Sequence, residues 1–141
     1  MDVGLFGHAD AWTLGSIVVE IAQRRSLAIA VAIWLGEQRV FHAALPGTSA
    51  SNDSWLDRKA ALVRRYDASS LRTALWLREK GITEATLRIG LDPLAYSLAG
   101  GAHAIRVRGT AVGVLAISGL DDVSDHQLGE EALRLFAERS L

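Results

Sequence analysis

Apolar positions along the chain fall into two periods, and the changes between them predict the order of elements. From Trp12 to Arg25, Leu14, Ile17, Val18 and Ile21 lie at i, i+3, i+4 and i+7, the stripe of a helix with one buried face. The residues before it are expected to be loose. The period then shortens to two. In LAIAVAIWL, Leu27, Ile29, Val31, Ile33 and Leu35 point to one side of a strand, and Ala28, Ala30, Ala32 and Trp34 to the other. Both faces are apolar, which places this strand inside a sheet, and the alanine face leaves room for a helix to come close. Gly36–Glu37 fits a two-residue type II′ turn with glycine first, so QRVFHAAL is the returning strand.

The polar stretch PGTSASND is a loop, and Asp53 within it is a natural N-cap for a helix from Ser54 to about Tyr66. After DASS, Ser70 is placed to cap a helix over Leu71–Lys80 that Gly81 stops. ATLRIG reads as a short strand and GLDPLAY as a turn. HAIRV and TAVGVLAIS make a second hairpin about Arg108–Gly109. Last, SDHQ has the Ser-x-x-Gln spacing of a capping box. It opens a terminal helix whose stripe is Leu128, Ala132, Leu135 and Phe136. The order α-β-β-α-α-(β)-β-β-α separates two hairpins by helices. That favours an α+β domain: a mainly antiparallel sheet of about five strands, with Leu27–Leu35 and Thr110–Ser118 central and helices on its faces.

The 141 residues, half of them hydrophobic, suffice for one domain, residues 1–141, with a proper core. A net charge of −1 argues against a nucleic-acid or anionic-membrane binder. The longest apolar run, Leu27–Leu35, falls short of the ~20 residues a membrane helix needs. Cysteine is absent, which removes disulfides, thiolate catalysis and thiolate-held metals. With an N-terminus that lacks a basic start and an apolar run, this points to the cytoplasm. Charge is uneven: Asp57–Lys80 carries seven Arg/Lys against three Asp/Glu, and Gly119–Leu141 two against six. These are either two solvated helix faces or surfaces that meet between the subunits of a homo-oligomer.

Lys59 breaks the pattern of its helix. On a helical wheel it falls inside the apolar arc of Leu62, Trp55, Tyr66, Val63 and Leu56, away from Asp57, Arg58, Arg64 and Arg65. A buried ammonium is costly unless partnered. Either its stem packs while its head reaches water or a carboxylate, or it presents charge to an anionic ligand. In the second case Lys59→Ala weakens ligand binding more than folding. GTSASNDSW, just upstream, offers hydroxyls, loop amides and a helix N-terminus that suit a carboxylate or phosphate. Gly100–Gly101 either bends the chain into its hairpin or lets a ligand approach the backbone. His103 sits at the mouth of that strand, His42 near the end of another and His126 in the first turn of the last helix. They share no metal-ligand spacing, and no nucleophile-elbow, P-loop or complete dinucleotide motif is present.

GTSASNDSWLDRKAALVRRYDASS, GLDPLAY, the glycine pair and VGVLAISGLDDVSDH together resemble the small uncharacterised proteins placed beside the haem-degrading-domain group, which includes HbpS-like and GlcG-like proteins. The resemblance runs from about Leu14 to Leu135. It implies a profilin-like sandwich and symmetric oligomers. It also implies that Asn52, Asp53, Trp55, Arg58 and Lys59 belong to one family motif, and Gly100, Gly101, Ser118, Gly119, Asp125 and His126 to others. The chain departs from that pattern twice. Ala99 stands where relatives carry a histidine before the glycine pair, and His103-Ala104-Ile105 where they commonly read Phe-Pro-Ile. Losing one histidine and gaining another changes the ligand chemistry expected at this rim.

Three functions follow as expectations. The first is a ligand-binding protein, for haem or another tetrapyrrole, or for a small carboxylate metabolite. Haem needs an axial donor, here His103, His42, His126 or Tyr96, and cations for its propionates, here Lys59 or Arg58. The second is an enzyme acting on such a molecule, with Lys59, His103, His126 and Asp125 as acid/base candidates. The third is an oligomeric interaction scaffold, supported by the uneven charge and four tryptophans, Trp12 above all. The absence of an enclosed pocket around Lys59 would favour the third.

Overall fold

Among the described residues, four helices and four strands follow one another as α1 (His8–Arg24), β1 (Ala30–Leu35), β2 (Gln38–Ala44), α2 (Ala50–Tyr66), α3 (Ser70–Glu79), β3 (Ala102–Val107), β4 (Thr110–Ser118) and α4 (Asp122–Arg139). The coordinates are a computed structural model that describes residues 2–83 and 91–139. The strands form one antiparallel sheet in the order β2-β1-β4-β3. β1 and β4 lie at the centre, as strands apolar on both sides must. The sheet thus has four strands among the described residues rather than five; the ATLRIG segment expected as another lies outside them.

Alternation along β1 sorts the layers. Ile29, Val31 and Ile33 pack with Leu14 and Val18 of α1 and Leu128 and Phe136 of α4. Ala30 and Ala32 turn the other way and, with Ala102, Ala104 and Ala116, make a floor of small side chains under Leu56, Ala60 and Val63 of α2. α3 packs outside α2 through Leu62, Ala74, Leu77, Leu91 and Leu98. The sheet is therefore covered by α1 and α4 on one face and by α2 on the other, with α3 beside β3.

Helix starts differ from the sequence expectations because each loop offers several capping side chains in a row and the outermost one caps. Ser49 rather than Asp53 caps α2: its Oγ accepts from Ser51 N at 3.3 Å, while Asn52 Oδ1 accepts from Ser49 N at 3.0 Å. Asp53 then sits in the first turn, where a carboxylate suits the helix dipole. Ser69 rather than Ser70 caps α3. Ser70 is thereby turned inward, and its Oγ accepts from Ala102 N at 3.0 Å, tying α3 to the start of β3. Asp121 takes the N-terminal role expected of Ser124, accepting from Ser124 N at 2.8 Å. In α4 Leu133 is buried and Leu135 only partly so. The N-terminus is not loose either: Val3 N donates to Arg106 O at 2.9 Å and is held along the outer edge of β3.

Candidate functional site

Lys59 is 3% exposed, and its ammonium is met inside the chain. It donates to Asp125 Oδ2 at 3.0 Å and to the Ile117 carbonyl at 2.9 Å. Asp125 Oδ1 accepts from Leu120 N at 3.0 Å. α2 and α4 lie on opposite faces of the sheet, so the pair joins them past the start of β3. Burial pushes Lys59 below the usual amine range and Asp125 above the usual carboxyl range, while each charge pulls the other back. Of the two structural possibilities left open by the sequence, a carboxylate partner is the one present.

A depression of about 250 Å³ adjoins this pair, lined by Asn52, Trp55, Ala99, Ser118 and Asp122 among others. Asn52 Nδ2 donates to Ser118 Oγ at 3.4 Å. Arg58 lies over the Trp55 ring at 4.1 Å, outside the depression. Asp53 faces away and pairs with His42 at 2.8 Å beside the edge strand β2. Tyr96 packs with the α2–α3 cluster under Arg65, its ring centroid 5.6 Å from the guanidinium.

The other two histidines meet in a separate cleft. His103 projects from β3 towards α4, where Gly129 leaves the space its ring fills: a Cβ at Gly129 would stand 2.7 Å from His103 Cδ2. Its ring centroid is 4.5 Å from that of His126. His103 Nε2 donates to the His126 carbonyl at 2.9 Å. Burial, with the neighbouring His126 adding to it, pushes His103 down to about 4, so the ring is neutral at pH 7. A carbonyl only accepts, so the proton sits on Nε2 and Nδ1 keeps its lone pair. Around the two rings, Ser69, Arg72, Arg106, Glu130, Leu133 and Arg134 close a cleft of about 420 Å³.

The candidate residues thus divide. Asn52, Trp55, Lys59 and Asp125 share one depression, His103 and His126 share another, and Gly100–Gly101 lies between. Asp53, Arg58, Tyr96 and His42 border neither. Arg72, Arg106 and Arg134, which line the histidine cleft, were not singled out from the sequence, where nothing separates them from the other arginines.

The depressed His103 fixes a pH dependence of stability. Above pH 6.5 the ring is neutral in both folded and unfolded chains, and this contribution is complete. As pH falls from 6.5 towards 4 the unfolded chain takes up a proton that the folded chain refuses, so stability is lost across that window. The loss expected from this group is about 2–3 kcal/mol. Urea unfolding of wild type and His103→Gln at pH 7 and pH 4.5 checks it: the difference between the two proteins' slopes isolates His103, and equal slopes would refute the assignment.

Comparison with known proteins agrees with this architecture. The family described as "Haem degrading protein HbpS-like" matches residues 6–134. A UPF0303 protein of Streptomyces avermitilis is 46% identical over 136 residues, covering 95% of this chain and 82% of that protein. The crystal structure of the Ybr137w protein superposes with a TM-score of 0.88 at 26% identity, over 99% of this chain and 82% of that one. PduOC, crystallised as a haem complex, shares the fold at a TM-score of 0.74 and 20% identity, over 94% of each chain. With its family match spanning nearly the whole sequence and close relatives among the UPF0303 proteins, the chain belongs to the HbpS-like haem-degrading-protein family.

Proposed function

We propose that the protein binds a small carboxylate-bearing ligand of the tetrapyrrole class, haem included, in the cleft between β3, α3 and α4. The observation that carries this reading is His103: neutral, held in one tautomer by the His126 carbonyl, and lining the same cleft as Arg72. A histidine that ligates a metal ordinarily donates its other N–H to an acceptor of this kind. Arg72, whose guanidinium has no partner among the described residues, and Arg134 supply positive charge for carboxylates. Beside Arg72 and His126 a shelf of Leu71, Leu75 and Trp76 offers apolar surface for a ring system. The cleft's volume lies within the ~300–1,000 Å³ of small-molecule sites.

These residues fit haem. His103 would hold the iron through Nδ1, and Arg72 and Arg134 the propionates. Haem itself supplies redox-active iron; the chain's part is to bind, orient and shield it. The haem complex of PduOC supports the choice of probe. His42, Tyr96, Lys59 and Arg58 are engaged elsewhere, so the ligand roles considered for them pass to His103 and the cleft arginines. The same reading takes the fold as a profilin-like sandwich, the setting as cytoplasmic and the protein as a homo-oligomer.

A hemin titration tests it. The expected result is a saturable, shifted Soret band, with affinity at least about tenfold weaker in His103→Gln and reduced in Arg72→Gln. A featureless titration removes the haem reading. Native mass spectrometry of protein from its own host reads any bound mass and the subunit number together.

A further inference from the structure

Fifteen side chains are arginine or lysine, and only Lys59 and Lys80 are lysines. Arginine is the usual residue for a buried ion pair, because its charge is permanent and its fork bidentate. This chain uses arginine freely, yet lysine stands at a site that is 3% exposed and paired with a carboxylate. The chemical difference is that lysine can release its proton and act as a nucleophile.

The geometry suits that difference. Of the three N–H groups on Lys59, one is taken by the Ile117 carbonyl and one by Asp125. The third has no partner among the described residues, and Lys59 lines the depression with Asn52, Trp55, Ser118 and Leu120. Asp125 is 3.0 Å from Nζ, within reach for proton transfer. Burial lowers the amine and raises the acid, which brings the neutral form of the pair, amine beside carboxylic acid, closer in energy than it is in water.

We propose that Lys59 is a reactive amine that condenses with a small uncharged aldehyde or ketone entering this depression, with Asp125 moving the protons. Asp125 first takes a proton from the ammonium. The freed Nζ lone pair adds to the carbonyl carbon, and the carbonyl π pair moves to oxygen, which takes the proton back from Asp125. Asp125 then accepts the proton left on nitrogen and returns it to the hydroxyl. Water departs as the nitrogen lone pair forms the C=N bond. One ammonium and one carbonyl compound give one protonated imine and one water, and Asp125 ends as a carboxylate. The Lys59–Asp125 pair is neutral overall and Asp122, 3.9 Å from Arg78, adds no positive charge to the wall, so the depression favours an uncharged carbonyl compound over one that carries a carboxylate; Trp55 gives it an apolar flank.

Lys80, exposed at the end of α3, is the internal reference. Wild-type protein is exposed briefly to glycolaldehyde and cyanoborohydride at pH 7, and the reduced adducts are quantified by peptide mass spectrometry. Lys59 is expected to be labelled at least about tenfold faster than Lys80, because burial lowers its amine and Asp125 stands ready to take the proton. In urea-unfolded protein that preference is expected to vanish. Any smaller preference in the folded protein overturns the proposal. Glyoxylate, an aldehyde that carries a carboxylate, used in place of glycolaldehyde is expected to lower the ratio of Lys59 to Lys80 labelling at least about tenfold, in keeping with its negative charge; an unchanged ratio overturns the preference for uncharged partners. This depression is distinct from the His103 cleft, so the labelling and the hemin titration succeed or fail independently.

Discussion

Asp125→Ala is expected to cost about 3–5 kcal/mol of stability, because it leaves the Lys59 ammonium buried without its counter-charge. Against a total of ~5–15 kcal/mol for a domain of ordinary stability, that is a large fraction. Asp125 also accepts from Leu120 N, so its loss frees the chain entering α4 as well. Lys59→Ala strands the carboxylate instead. The binding-before-folding order expected for that variant from the sequence therefore reverses: the negative partner is part of the fold, so folding suffers first. Lys59→Met with Asp125→Ala removes both charges and is expected to be more stable than Asp125→Ala alone. Urea midpoints of the wild type, the two single variants and the double variant check this. An Asp125→Ala loss below about 1 kcal/mol would mean that water reaches the ammonium.

The sheet was legible because its information is local. Alternation in Leu27–Leu35 gave both faces of β1, and its alanines anticipated the close approach of α2. Lys59 was legible as an anomaly for the same reason, since a helical wheel needs only neighbouring residues. Its partner was not. Asp125 lies on another helix across the sheet, and no pattern within either segment couples the two. The meeting of His103 with His126 is also tertiary. The one hint lay in Gly129, a glycine inside an otherwise good helix, which marks a place where something must come close. The caps were misassigned by short steps because Ser49, Asn52 and Asp53, or Asp121 and Ser124, are chemically interchangeable in that role. Only the path of the incoming chain decides among them.

Gly101→Ala is expected to cost about 3–4 kcal/mol, combining a disfavoured backbone with overpacking. Gly101 has φ +129°, and a Cβ there would stand 2.4 Å from the Ile117 carbonyl oxygen, 2.9 Å from Lys59 Nζ and 3.0 Å from Asp125 Cβ. The first obstacle is backbone inside the β3–β4 ladder and has nowhere to go, since Ile117 N also donates to Gly101 O at 2.9 Å. The comparison is Gly36→Ala in the β1–β2 turn. There φ is +56° and no atom lies within 4 Å of the added carbon, so only the left-handed conformation is charged against it, about 1 kcal/mol. The second and third obstacles tie this glycine to the ion pair. Placing Gly101→Ala in the Lys59→Met, Asp125→Ala background relieves the crowding by the ammonium but not by the carbonyl. Most of the loss is therefore expected to persist there, measured again by urea midpoints. A Gly101→Ala protein no less stable than Gly36→Ala would show that the start of β3 has room to spare. The glycine would then serve what enters the depression rather than the packing of the strand.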